Sequence, residues 1–360
     1  MAGLAYGAPF RPANDGEILE RLPERAAGAP RGGVADAALA ARAARVFLER
    51  ARRSGDPRDY GYAQGLLQPW WSAPNAPDDI LLLRATLKQH QHAFAAALAD
   101  LDRLLTRSPD HAQAWLTRAT IHRVRGALDA AAADCARLQT LAPGVVAELC
   151  RLATAAPRDP WGAGAGLDAL DAAMAAQPDP VYAWYQAERA AAAQRRGDLV
   201  AAESAFVAGL ARAPWDLGLR AAYADLLLEQ GRAGAVITLL EDASNSEILR
   251  LAAVRAYLAL GESARVTELT DALADTYAAL RRRGDAPHLR EEASFALFVE
   301  RDAARALALA RANFRDQREL ADARLLLAAA LAAGDARAIA GLRDWSEASG
   351  VRDVWLEARW

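Results

Sequence analysis

The sequence predicts an all-α protein, an α-solenoid of about nine helical hairpins that forms a right-handed superhelix. Alanine-rich amphipathic stretches recur along the 360 residues, and Gly-Asp, Gly-Arg or Pro signals interrupt them about every 15 to 20 residues. Strand patterns, in which Val, Ile, Thr and aromatic residues alternate with polar ones, are nearly absent. The fold class therefore follows from helical periodicity, regular breaks and the lack of strand patterns.

The composition argues against two classes of partner. The chain has 46 acidic and 43 basic residues and a formal net charge of −3, whereas proteins dedicated to nucleic acids or anionic membranes need a basic excess. Hydrophobic residues make up 53 % of the chain, which is enough for a core. No apolar run approaches the ~18 residues that cross a bilayer. We therefore expect no nucleic-acid binding and no membrane insertion.

The helical pattern repeats every 34 residues, which is the distance from Pro109 to Pro143. Small residues at Ala119 and Ala131 suit the close crossing of two antiparallel helices. Gly126 lies between them, where the chain has to turn. Each of the two prolines ends a second helix because it has no amide hydrogen to donate. The segment 112–145 is the clearest copy.

This pattern resembles the tetratricopeptide repeat (TPR), in which an aromatic residue, small residues and a final proline recur over 34 positions. A second good copy runs from Gly197 to Pro214, and looser copies continue to residue 349. The resemblance implies a bacterial TPR protein whose helical pairs stack into one solenoid. In such a stack, each repeat is expected to contact only its neighbours.

The regions outside the repeats are short. We assign residues 1–33 to an extended N-terminal arm with a short helix at GEILERL, and residues 34–349 to the TPR-like solenoid. Residues 350–360 are assigned to a C-terminal capping helix, which would cover the apolar edge of the last repeat. The side chains expected to do so are Trp355, Leu356 and Trp360.

The resemblance also implies a binding surface, because the first helix of each TPR forms the concave face of the superhelix. The positions that correspond to this face in two N-terminal repeats are Thr86, Gln89 and His90, followed by Gln113, Thr117, Thr120 and Arg123. Some TPR proteins grip the C-terminal tails of chaperones with lysines and asparagines. Here Leu82, Thr86 and Thr117 occupy those places, so a chaperone cofactor role is not supported.

A second group of candidate residues lies in a C-terminal segment that departs from the repeat consensus. Its predicted inner face carries His288, Glu291, Glu292, Phe295 and Phe298. Aromatic rings beside carboxylates suit a basic and apolar peptide. The alternative is that the two glutamates form a solvated first helical turn and that the two phenylalanines pack between repeats.

Motifs for catalysis or metal binding do not emerge. His-Glu-x-x-His and Gly-x-Ser-x-Gly are missing, and the two cysteines are too few for a zinc site of their own. On one continuous helix His90 and His92 would point about 200° apart. The stretch GAGAG at 162–166 has no preceding strand and no following Lys-Ser or Lys-Thr, so we interpret it as a flexible turn. We predict no enzyme, no metal and no cofactor.

Cys135 and Cys150 flank Pro143 at similar distances. On antiparallel helices they would lie at a similar height, so they form either a disulfide, in an oxidising compartment, or two buried thiols.

The start of the chain shows no signal peptide, yet its small residues and Pro-rich arm suit what remains after a signal is removed. Lys88 is the only lysine among many arginines, which is typical of a GC-rich bacterial genome. We favour a periplasmic over a cytoplasmic location.

The function that these observations favour is a non-enzymatic scaffold that binds a protein or peptide partner on its concave face. One alternative is a structural or oligomeric assembly protein that acts through its edges and termini. Another is a binder of a small ligand or metal at the C-terminal repeats, through His288 and the adjacent glutamates. We expect a monomer or a weak homo-oligomer.

Overall fold

A computed structural model describes residues 36–241, 246–283 and 288–360, without the side chain of Arg283. The predicted N-terminal arm and its GEILERL helix lie outside the described residues. Within the described ranges the chain forms helices and connecting turns, with no β-strand. The all-α class predicted from the sequence is confirmed.

Consecutive helices form nine antiparallel pairs in the described part of the chain. The pairs are α1 (Ala37–Ser54) with α2 (Pro57–Leu67), α3 (Asp78–His90) with α4 (Phe94–Arg107), α5 (Ala112–Val124) with α6 (Leu128–Leu141), α7 (Val145–Ala155) with α8 (Pro160–Ala169), α10 (Asp179–Arg196) with α11 (Leu199–Arg212), α12 (Leu217–Glu229) with α13 (Ala233–Leu240), α14 (Glu247–Leu260) with α15 (Ser263–Arg283), α16 (Leu289–Phe298) with α17 (Ala303–Phe314), and α18 (Leu320–Ala333) with α19 (Ala336–Ser349). The short helix α9 (Asp171–Ala175) precedes the fifth pair, and α20 (Val354–Glu357) follows the ninth.

The pairs stack into a solenoid with two layers of helices. The first helices of neighbouring pairs contact each other along most of the chain, for example α1 with α3, α3 with α5 and α5 with α7. The second helices lie outside this inner layer, and most of them pack against the first helix of the next pair. Alanines and leucines that face the partner helix provide the core. The predicted stack of nine hairpins is thereby confirmed.

The clearest repeat shows why its sequence forms a hairpin. Gly126 adopts a left-handed conformation with φ of 73° between α5 and α6, which glycine accepts without strain. Ala119 and Ala131 are buried where these helices cross. Gly197 repeats the same turn between α10 and α11 with φ of 76°, and Asp198 then caps α11 through the amide of Ala201.

The glycine-rich stretch at 162–166 is not the predicted turn, because it lies inside helix α8. Asp159 caps this helix by accepting from the amide of Gly162 at 2.8 Å. A Cβ atom on Gly164 would lie 1.8 Å from Nη1 of Arg196, and one on Gly166 would lie 2.5 Å from Cδ2 of Leu152. The glycines therefore allow close approach of neighbouring helices, at the expense of helix propensity.

Contacts also join pairs that are five or six apart, which corrects the expectation that repeats contact only their neighbours. The amide of Arg318, before α18, donates to the carbonyl of Val124 at 2.8 Å. The amide of Arg352 donates to the carbonyl of Pro157, also at 2.8 Å. The guanidinium of Arg53, at the end of α1, lies 4.6 Å from the ring centroid of Trp215, before α12. The superhelix is therefore coiled tightly enough for its successive turns to contact each other.

The C-terminal residues complete this contact. Asp353 is 1 % exposed and accepts a hydrogen bond from Nε of Arg324 at 3.0 Å. It also caps α20 by accepting from the amide of Trp355 at 2.8 Å. Arg324 donates from Nη2 to the carbonyl of Gln194 at 3.1 Å. Because the Asp353 cap starts the helix there, α20 is shorter than the predicted 350–360. Its Leu356 is buried against the last pairs.

Cys135 and Cys150 are bonded in the structure, with Cα atoms 5.6 Å apart and a sequence separation of 15 residues. Both side chains are buried between α6 and α7. The disulfide closes a loop of about 15 residues and so lowers the conformational entropy of the unfolded chain. This raises the unfolding free energy by roughly 3 kcal/mol. We therefore expect the Cys135→Ser/Cys150→Ser double variant to lose about 3 kcal/mol of unfolding free energy in urea titrations of oxidised protein.

The double variant also provides the control, because dithiothreitol should destabilise the natural protein and leave the variant unchanged. Mass spectrometry of the unreduced, alkylated protein reports the bond directly. Two alkylated thiols in protein purified under oxidising conditions would contradict this prediction.

Candidate functional site

The inner faces of α3 and α5 present a row of threonines. Thr86, Thr117 and Thr120 are all partly buried. Each hydroxyl donates to the carbonyl one turn earlier, at distances of 3.0, 2.8 and 3.0 Å respectively. The hydroxyl protons are therefore committed to the helix backbone, while the oxygen lone pairs stay available to accept a hydrogen bond.

Two glutamines extend this row. Gln113 is exposed at the start of α5, and its amide lies 3.4 Å from Oγ1 of Thr117. Gln89, near the end of α3, is half-buried. A primary amide offers both donors and acceptors, so each of these side chains can hydrogen-bond to a peptide unit. The structure thus places the predicted N-terminal candidates on neighbouring inner helices.

Arg123 differs from the other predicted residues because it already has a protein partner. Its Nη1 donates to Oε2 of Glu188 on α10 at 2.6 Å. The other carboxylate oxygen of Glu188 accepts from the indole of Trp184 at 2.9 Å. Arg123 therefore joins α5 to α10 across the inner layer.

The C-terminal candidates do not form an open peptide site. The phenylalanines pack as the alternative interpretation expected, but Glu292 is buried and paired rather than solvated. Phe295 is 1 % exposed, and its ring centroid lies 5.4 Å from that of Tyr277 on α15. Glu292 is buried and accepts from both Arg281 and Arg305. The prediction that Phe295 and Glu292 face a ligand is therefore wrong, because α15 and α17 cover them.

The remaining C-terminal candidates also contact their own fold. Phe298 lies under the guanidinium of Arg255, 4.3 Å from the ring centroid. Nδ1 of His288 is 2.9 Å from Oε2 of Glu247. Burial raises the pKa of Glu291. In the described residues, no group of three or more His, Cys, Asp or Glu side chains is arranged to hold a metal ion.

A histidine cluster brings the two predicted surfaces together. The helix α3 ends at His90, and His92 follows in a left-handed turn with φ of 56°, so the two residues are not on one continuous helix. The ring centroid of His92 lies 5.9 Å from that of His288, and His90 packs against Tyr60 with centroids 3.6 Å apart. The cluster therefore lies where the second pair contacts the eighth.

This cluster favours neutral imidazoles. Burial lowers the pKa of His92 to about 4, and the nearby charges of His288 and Arg290 act in the same direction while Asp322 opposes them. Burial likewise lowers the pKa of His90 to about 4, with contributions from His92 and His288. Protonation of the cluster thus opposes the contact between the two turns of the superhelix.

Acidification should consequently destabilise the protein. A histidine has a pKa of about 6.5 in the unfolded chain, whereas the pKa of folded His92 is about 4. Between these pH values the unfolded state binds a proton that the folded state does not, so acidification favours unfolding. We expect a loss on the order of 2–3 kcal/mol of unfolding free energy from His92 between these pH values. His90 is more exposed, so solvent screening makes its contribution smaller.

Urea titrations between pH 7 and 4.5 measure this loss. The variant His92→Asn keeps a residue that tolerates a left-handed conformation and removes the imidazole, so its unfolding free energy should change less over this range. Equal pH dependence of the natural protein and His92→Asn would contradict the assignment.

A central cavity is the main feature that the sequence did not reveal. It has a volume of about 260 Å³ and lies between α5, α7, α10 and α12 on one side and the start of α18 and Val351 on the other. Arg195 and Arg318 line it, together with the Arg123–Glu188 pair. No sequence signal could have identified it, because its walls come from residues more than a hundred positions apart.

Comparisons with known proteins concern the fold. No family model matches the sequence, and no curated protein matches it. A tetratricopeptide repeat protein from Parabacteroides merdae ATCC 43184 is 18 % identical, with a TM-score of 0.41, over 65 % of this chain and 93 % of its own. PilW, a type IV pilus biogenesis factor, is 18 % identical, with a TM-score of 0.42, over 54 % of this chain and 91 % of its own.

Human IFIT1, solved as a dimer with PPP-AAAA, is 13 % identical with a TM-score of 0.46, over 86 % of this chain and 81 % of its own. The stacked helical pairs and their glycine turns are those expected for TPRs. The chain has a TPR-like fold. Among the described helices of this TPR-like solenoid, none is both long and apolar enough to span a membrane.

Proposed function

We propose that this TPR-like protein is a non-enzymatic scaffold that holds an extended segment of a partner protein on the inner face of α3 and α5. One observation carries the proposal: the polar side chains of this face remain accessible, whereas the C-terminal candidates are buried or paired. Of these side chains, Gln113 is exposed, and Thr86, Gln89, Thr117 and Thr120 are partly exposed.

The chemistry of this row suits the backbone of a peptide. Amides such as that of Gln89 can donate to a peptide carbonyl and accept from a peptide N–H, and the threonine oxygens accept further N–H groups. Since these side chains carry no charge, they favour neutral or mixed segments over a highly charged tail. Apolar neighbours such as Leu82 and Leu116, both half-buried, supply area for the side chains of the segment.

Selection from a library of displayed random peptides tests this proposal. Peptides retained by the natural protein should bind the triple variant Gln113→Ala/Thr117→Ala/Thr120→Ala at least ~10-fold more weakly, because each lost hydrogen bond contributes about 0.5–1.5 kcal/mol. The matched control is Thr106→Ala/Thr140→Ala. Both of these threonines bond to the carbonyl one turn earlier in the same way, but on the second helices α4 and α6.

Equal affinity of the selected peptides for the natural protein and the triple variant would refute the proposed site. So would an equal loss in the control variant, because it would show that the peptides bind elsewhere or that the substitutions act through stability. Circular dichroism melts of all three proteins separate the second explanation from the first.

Self-association is the second candidate, and two valines favour it. Val200 and Val207 are 82 % and 52 % exposed on α11, and their spacing of seven residues puts them on one face. We propose that any association of copies is weak and uses this face. Sedimentation at increasing concentration should show a dimer fraction that Val200→Ser/Val207→Ser abolishes. A dimer fraction that persists in this variant would exclude the face.

We also propose that the protein works in an oxidising compartment such as the bacterial periplasm. The support is the bonded Cys135–Cys150 pair, since disulfides persist in such compartments and are rare in the cytosol. Fractionation of the source cells with a tagged protein tests this location.

A further inference from the structure

The central cavity contains an arginine without an acidic partner. Arg195, near the end of α10, is 6 % exposed and lines the cavity. Within the described ranges it forms no salt bridge, and its hydrogen bond is a long one of 3.3 Å from Nη1 to the carbonyl of Arg352. Burial lowers the pKa of Arg195 to about 10, which reflects the poor compensation of its charge.

The acidic residues near Arg195 are already engaged. Asp353 accepts hydrogen bonds from both Nε and Nη2 of Arg324, at 3.0 and 3.2 Å. Glu188 binds Arg123 and Trp184 through its two oxygens. Neither carboxylate is within salt-bridge distance of Arg195, so the charge of that guanidinium remains uncompensated.

A second guanidinium and an amide also line the cavity. Arg318 enters from the loop before α18 and donates from Nε to the carbonyl of Phe314 at 3.2 Å, without a salt bridge to any described residue. The other acidic lining residue, Glu319, accepts from Arg290 at 2.9 Å. The side chain of Gln194 is 8 % exposed and lines the same space. The cavity thus combines excess positive charge with unused donors.

A buried charge without a counter-charge is costly, and proteins rarely keep one unless a ligand or partner compensates it. Guanidinium groups bind carboxylates and phosphates through paired, charge-assisted hydrogen bonds. The volume of about 260 Å³ is near the lower end for small-molecule sites, so it suits a small ligand and is too small for a folded segment.

We propose that the central cavity binds a small anion with a carboxylate or phosphate group, and that Arg195 is its main ligand, with Arg318 and Gln194 as further donors. This site is separate from the peptide face on α3 and α5, so either proposal can fail without the other. Because Arg195 and Arg318 belong to different turns of the superhelix, the bound anion stabilises the contact between those turns.

Calorimetry and thermal unfolding of the full chain, with sodium phosphate and sodium acetate as separate probes, test the proposal. Sodium chloride at matched ionic strength is the reference. At ~100-fold excess over Kd, at least one of the two anions should raise Tm by about 3–5 °C in a saturable way. A response to phosphate alone, to acetate alone or to both identifies which anionic group the cavity accepts.

Three variants locate the binding site. Arg195→Gln removes the unpaired charge and should weaken binding at least ~10-fold without lowering Tm in the absence of anion, since no ion pair is broken. Ala191→Leu keeps the charge but occupies part of the cavity, and should also weaken binding. Arg343→Gln removes an exposed arginine on α19 that does not line the cavity, and should bind like the natural protein.

The proposal is overturned if neither anion binds beyond the chloride reference. It is also overturned if Arg195→Gln and Ala191→Leu bind as well as the natural protein, or if Arg343→Gln loses as much as they do. If Arg195→Gln does not fold, Ala191→Leu decides the question alone, because its binding must then be lost.

Discussion

Replacing Asp100 by alanine is expected to lower the unfolding free energy by about 3–5 kcal/mol, the largest effect that we foresee for a single charge. Asp100 is completely buried on α4 and binds the guanidinium of Arg84, whose side chain is 3 % exposed. It also accepts from Lys88 at 2.6 Å. Arg84 in turn donates to the carbonyls of Trp70 and Ala73, at 2.6 and 2.8 Å.

The size of the effect comes from the cations that the variant leaves behind. Without Asp100, the guanidinium of Arg84 remains buried with carbonyl partners only, so its positive charge is no longer compensated. Asp129→Ala is the control, because Asp129 also pairs with an arginine, Arg158, but its side chain is 86 % exposed. Its loss should not exceed about 1 kcal/mol. Urea titrations that give similar losses for both variants would contradict the burial argument.

Phe295→Ala should lower the unfolding free energy by about 3–5 kcal/mol, because it removes a fully buried ring. The ring contacts Tyr277 of α15 and belongs to a buried cluster with Leu251 and Val254 of α14 and Leu273 of α15. The same variant should leave the affinity for selected peptides unchanged, after correction for the folded fraction. This combination separates a core residue from a contact residue.

Phe298 on the same helix is the matched control. Its ring is partly exposed and contacts the guanidinium of Arg255, so Phe298→Ala should cost only about 1 kcal/mol. Thermal melts and urea titrations measure both losses. If Phe295→Ala kept its stability and lost peptide binding, the peptide-contact interpretation of the C-terminal segment would have been the better one.

The sequence predicted those features that depend on neighbouring residues. Periodicity identified the helices, and the positions of Gly126 and Pro143 identified the turn and the end of the best repeat. Each of these signals acts within about 34 residues, the length of one repeat unit. A stack of such units follows, because every unit has to bury its apolar face against the next.

The sequence could not predict how tightly the stack coils. Contacts such as that of Val124 with Arg318 depend on small rotations between successive pairs, which accumulate over five or six of them. For the same reason no sequence signal singled out Arg195, whose guanidinium donates to the carbonyl of Arg352. One of the two interpretations placed Phe295 on an open inner face, whereas its ring packs against Tyr277 of α15.

Amide hydrogen exchange at Arg318 and Arg352 measures most directly whether successive turns of the solenoid contact each other. Both residues lie in loops, and their amides donate to carbonyls of a distant turn, those of Val124 and Pro157. We predict that both amides exchange slowly, at rates comparable to those of the inner helices. Exchange at the fast rate of solvent-exposed loops would show that the superhelix is open and that its successive turns do not contact each other.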